Sequence, residues 1–239
     1  MRNHHFSNIS LSTFMCVGGV AGGAALTNKL GGSDAALSFV KFGTCMMLAL
    51  LTIQVIFAIK SQSRALYLIV FNIAFASGIV CFLLCLILPI FWIPTIDASI
   101  KIFLSIISVG LWSINVLKGV KIFDLKWASA GQELLARFYR RKEGEIDWDG
   151  LSGALRMSVS VYLPGVSQKL NSVLSFLIAV SMLAGLALRN VFPIYSVFSW
   201  GIPIIIVISI FAQMMGFGVA QFLKIGALER EQGVFIRPK

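Results

Sequence analysis

Long apolar runs separated by short polar interruptions dominate the chain. A helix needs about 20 apolar residues to cross a hydrocarbon core of roughly 30 Å. Residues 65–91 (ALYLIVFNIAFASGIVCFLLCLILPIF) exceed that length and can cross at a tilt. Residues 42–59, 102–117, 172–188 and 200–223 give four more expected spans. The run at 102–117 is short, and borrows length from residues 98–100 with Lys101 reaching back toward water. Each is expected to be helical, because a helix closes its backbone hydrogen bonds within the segment and lipid offers none.

Residues 11–27 (LSTFMCVGGVAGGAALT) are apolar but glycine-rich. Gly18 and Gly22, and Gly19 and Gly23, stand four apart, and such pairs make a smooth face on which another helix can pack closely. The segment reads as a sixth span, with a buried re-entrant segment as the alternative. A cleaved signal peptide is not expected, since the glycines break its apolar core and few cations precede it. The fold class is therefore all-α, a polytopic transmembrane bundle of about six spans, or five if 11–27 does not cross. Three sections follow, all within one membrane domain: N-terminal membrane helices (1–117), a basic amphipathic loop (118–171), and C-terminal membrane helices with a tail (172–239).

Within the loop the period changes. From Asp124 to Arg141, Trp127, Leu134, Leu135 and Phe138 share one side at helical spacing, flanked by Arg137, Arg140, Arg141 and then Lys142. A basic amphipathic helix beside a bilayer is expected to lie in the headgroup layer. Packing under the bundle and docking a protein partner are the other readings. The acidic stretch Glu143 to Asp149 reads as a solvated turn balancing those arginines, since the EF-hand spacing is missing. Residues 157–163 alternate as a short strand would.

Composition supports a membrane setting. Of 239 residues, 58% are hydrophobic and 13% charged, and the mean hydropathy is +0.89. A soluble domain carries about 25% charge. The net charge of +10 would suggest nucleic acid in a soluble protein. Here its distribution marks a membrane side instead, and no nucleic-acid partner is expected. With the N-terminus inside and six spans, Arg2, Lys60, Arg64, the nine cations from Lys118 to Lys169, and Lys224, Arg230, Arg237 and Lys239 fall on one side. Only Lys29, Lys41, Lys101 and Arg189 fall on the other. The positive-inside rule then puts both termini and the loop in the cytoplasm, most simply of a bacterial inner membrane.

Candidate chemistry is sparse. The two histidines, His4 and His5, sit at an N-terminus expected to fray, which leaves no histidine elsewhere for acid–base work or metal ligation. Cys16, Cys45, Cys81 and Cys85 lie in apolar runs, where thiols act as small hydrophobes. Asp149-Gly150 with Arg156 imitates the opening of the CDP-alcohol phosphotransferase motif, but the required later aspartates are missing. No charged residue is central to any span, which argues against proton coupling through a buried carboxylate. Uncharged polar residues such as Gln54, Asn72, Asn115 and Gln213 read as cross-links between helices. Pro89 and Pro203 are positioned to kink their spans. The expected function is thus non-enzymatic, with no cofactor and no metal. The chain reads as a membrane-embedded subunit or accessory of a larger envelope assembly of secretion, conjugation or immunity type, in contact with the lipid bilayer and with protein partners or copies of itself. A small oligomeric channel or transporter is the runner-up.

Overall fold

The computed structural model describes residues 2–140, 143–155, 162, 168–188 and 190–239. Its elements are α1 (Arg2–Gly31), α2 (Ser33–Lys60), α3 (Ala65–Ile87), α4 (Pro89–Trp92), α5 (Ala98–Phe138), β1 (Tyr139–Arg140), β2 (Glu145–Ile146), α6 (Trp148–Ala154), α7 (Gln168–Leu188), α8 (Pro193–Gln232) and β3 (Arg237–Pro238). Among the described residues, five helical stretches are long and apolar enough to cross a membrane: His5–Gly31, Ser33–Lys60, Ala65–Trp92, Ala98–Phe138 and Pro193–Gln232. This is the architecture of a membrane-embedded, all-α protein. The run at 172–188 lies within α7, whose described apolar part is Phe176–Leu188. Large side chains such as Phe14, Phe103, Ile106, Leu117, Phe176 and Leu183 are 63–77% exposed, tolerable for so many apolar groups only where lipid is the solvent.

α1, α2 and α3 pack as one group; α8 packs on α3, and α5 and α7 pack on α8. The glycine-rich segment lies inside α1, one helix of 30 residues. The chain is helical from Arg2. His5 is helical, its ring edge-on to Phe71 at 4.6 Å and its Nε2 3.2 Å from the Ser61 hydroxyl. Pro89 breaks the third span into α3 and α4, as a residue without an amide proton does, whereas Pro203 is carried inside α8.

The two glycine pairs of α1 separate. A Cβ on Gly19 would lie 3.1 Å from the Phe82 backbone, and one on Gly23 would lie 2.3 Å from the Cys85 carbonyl oxygen. Gly18 has nothing within 4 Å, and Gly22 meets only a Leu86 methyl at 4.0 Å. The packing face is therefore Gly19/Gly23. Gly18/Gly22 faces away from the chain's own helices, because pairs one residue apart point about 100° apart around a helix of 3.6 residues per turn. Gly23→Leu should lower stability by about 2–3 kcal/mol through overpacking against backbone, and Gly19→Leu by somewhat less. Gly22→Leu and Gly18→Leu should stay within roughly 0.5 kcal/mol. Melting midpoints of the four variants in one detergent test this; equal losses for all four would mean both faces are packed.

The largest departure from the sequence reading is at residue 118. No loop opens there. α5 runs unbroken for 41 residues, about 60 Å, twice the hydrocarbon thickness. α8 does the same over 40 residues. The two helices pack against each other, and both are longer than the other membrane-length helices. At their far end the chain folds into a small head. β1 and β2 form an antiparallel pair around Gly144, whose φ of +63° suits glycine, and β3 joins β2 in parallel. No strand can be assigned at 157–163 on this evidence, since of that stretch only Tyr162 lies within the described residues.

Candidate functional site

The head is where the chain's uncommon polar chemistry gathers. Its core consists of Ile146, Trp148, Leu151, Leu155 and Ile236, all under 5% exposed. These residues pack onto the start of α3 and the ends of α5 and α8. Asp147 caps α6 by accepting from the Gly150 amide at 3.0 Å. The stretch from Glu143 to Asp149 is thus a hairpin and a capped helix. Its expected balance of charge appears locally, as the Arg140–Glu143 pair at 3.2 Å.

One ion pair locks the head to the bundle. Arg64 precedes α3, and Glu229 lies near the end of α8. The guanidinium donates from Nε to both carboxylate oxygens, at 3.1 and 2.8 Å, and from a terminal nitrogen at 2.5 Å. Glu229 holds Arg64 above its ordinary pKa. The same carboxylate accepts the Ile236 amide at 3.0 Å, and the Ile236 carbonyl accepts the Ala65 amide at 2.7 Å. The Arg64 guanidinium lies 4.6 Å from the Phe235 ring centre. Backbone bonds from Arg237 to Gly144 and from Lys239 to Ile146 fasten the tail to the hairpin. The tail is able to turn back because Gly233, at φ +66°, ends α8 in the left-handed conformation.

The residues expected to meet lipid or a partner are only partly free to do so. Trp127, Leu134 and Phe138 are half-buried against the head and α8 core. Trp127 stacks on Phe123, which meets Phe217 edge-on at 5.1 Å. The Phe138 ring lies over Gly150, where a Cβ would come within 2.5 Å. Leu135 is also half-buried. Arg137 is exposed, its guanidinium 5.2 Å from the Phe138 ring, and Arg140 is exposed in the hairpin. Arg141 and Lys142 lie outside the described residues. Of the readings for this segment, the geometry is that of an apolar face packed on the protein's own core. A helix continuous with a span cannot also lie flat in the headgroup layer.

Within the bundle, buried polar side chains tie segments together in part. Gln54 donates to the Ser12 hydroxyl at 2.9 Å and to the Ala74 carbonyl at 2.8 Å, joining α2 to α1 and α3. Asn115 donates to the carbonyls of Leu111 at 2.9 Å and Tyr162 at 3.0 Å. Gln213 is 1% exposed, and neither of its amide atoms has a partner. Among the described residues, no cluster of three or more His, Cys, Asp or Glu is arranged to hold a metal ion. No protein-family model matches this chain, and no curated protein or solved structure is similar to it.

Sequence reasoning missed the Arg64–Glu229 pair. Glu229 shares its stretch with Arg230 and Glu231, so nothing local singles it out, and 165 residues separate the partners.

Proposed function

We propose that this protein is a non-enzymatic, six-span subunit or accessory of a larger membrane assembly of secretion, conjugation or immunity type. In this reading it sits in a bacterial inner membrane with its head and both termini in the cytoplasm. The observation that carries the reading is the unbroken course of α5 and α8 from bundle to head, clamped by Arg64–Glu229. Such a head cannot swing freely, and it offers a fixed, cation-bearing surface outside the bilayer, as a docking component requires. The basic residues on that side support the orientation. Reporter insertions at Gly144 and after Lys239 should be cytoplasmic and one after Thr95 external. An external signal at Gly144 would overturn the topology.

Docking is tested by mild-detergent purification of the wild type beside Leu125→Glu. Leu125 lies on α5 past residue 118 and is 63% exposed, so this change leaves the core intact. Co-purifying membrane proteins that are lost in the variant would support the reading. The runner-up, a small oligomeric channel or transporter, is favoured by one observation, the unpartnered amide of Gln213. Flux through proteoliposomes that Gln213→Leu abolishes, with no co-purifying protein, would put that reading first.

A further inference from the structure

Between α3 and α8, beside α6 of the head, lies a cavity of about 560 Å3. Its walls have a direction. Gly218 faces Ile73, and Gly226 faces Leu66, so the level of each residue on one helix can be read against the other. Gln221 and Ser152 stand toward the head, Asn72 follows, and Ile73, Ala76 and Met214 line the deeper part. Asn72 is seven residues into α3, about 10 Å below its start. Its side chain is exposed, and Gln221 is half-buried. Among the described residues, neither amide has a hydrogen-bond partner. The Ser152 hydroxyl donates to the Asp149 carbonyl at 3.3 Å.

Two unpartnered amides at that depth, on helices long and apolar enough to cross a membrane, are costly unless something in the bilayer supplies acceptors. The required partner is polar toward the head and apolar below. A phospholipid carries that gradient within one molecule, its ester and phosphate oxygens above its acyl chains. We infer that the cavity binds one glycerophospholipid, its ester and phosphate oxygens accepting from the Asn72 and Gln221 amides and one acyl chain lying over Ile73, Ala76 and Met214. This goes beyond the subunit reading and rests only on the membrane setting.

The test uses the full chain in nanodiscs of phosphatidylcholine doped with phosphatidylglycerol that carries a photoactivatable group in one acyl chain. After irradiation, the label should concentrate on peptides spanning 69–76 and 214–221, well above the lipid-exposed face 176–188 of α7. Asn72→Leu with Gln221→Leu should reduce that label about tenfold, the loss expected for two hydrogen bonds. Ala76→Phe keeps both amides, fills the deep end, and should reduce it likewise. Glycerol phosphate, which has the headgroup chemistry without a chain, should not compete. An even spread of label, label unchanged by both variants, crosslinks from these peptides to another protein, or competition by glycerol phosphate would each overturn the inference. If a variant fails to fold, competition of the wild-type label by unlabelled phosphatidylglycerol decides: displacement supports the site, and no displacement overturns it.

Discussion

Arg64→Met should destabilise the protein by about 3–5 kcal/mol, the usual cost of removing one partner from a buried ion pair. The reason is the asymmetry of the pair. The Glu229 side chain is 3% exposed and that of Arg64 is 27% exposed. Without the guanidinium, the carboxylate keeps only the Ile236 amide as a donor and cannot reach water. Glu229→Met is expected to cost less, about 1–3 kcal/mol, mainly from the orphaned Ile236 amide, because Arg64 can turn outward. The double variant Arg64→Met/Glu229→Met should recover most of the Arg64→Met loss, since exchanging a buried pair for apolar groups is often near neutral. Melting in detergent gives the energies. Hydrogen exchange at Ile236, Arg237 and Lys239 gives the location: all three amides should lose protection in Arg64→Met while the spans keep theirs. Equal losses for the two single variants would mean that burial does not govern the pair.

The other large effect is expected where α5 crosses α8. A Cβ on Gly119 would lie 2.0 Å from the Gln213 carbonyl oxygen, and one on Gly216 would lie 2.0 Å from that of Val116. Both obstacles are backbone, so no rotamer change relieves them, and the helices must separate. Gly119→Ala or Gly216→Ala should each cost at least about 3 kcal/mol, the upper end of overpacking losses. Separation here would also loosen the helix pair that carries the head, so the Val and Leu variants should lose the folded protein. Gly110 is the control, lying on the same helix with nothing within 4 Å. Gly110→Ala should be neutral or stabilising by up to about 1 kcal/mol, the difference in helix propensity. A Gly216→Ala protein that melts with the wild type would show that the crossing is wider than described.

Much of the membrane architecture was legible in the residues. An apolar run of about 20 residues has few alternatives to a spanning helix, because lipid leaves backbone groups unsatisfied in any other conformation. Pro89 announced a break for the equally local reason that it lacks an amide proton. Other features turn on matters no local pattern encodes. Gly18/Gly22 and Gly19/Gly23 are equivalent as spacing, and only the approach of Phe82, Cys85 and Phe39 selects the second pair. The amphipathic period around Trp127 was real, but period alone does not say whether lipid, a partner or the chain itself covers the apolar side. α8 and the head cover it, and so α5 continues straight past residue 118 rather than turning onto the surface. Arg64 and Glu229 are unremarkable one at a time. The sequence determined which segments are long and apolar enough to cross a membrane and where the cations fall along the chain, since both are properties of single segments. Only the tertiary structure decided which way each helix is rotated, where the head docks and which charges meet, because those depend on surfaces that residues far apart in the chain present to one another.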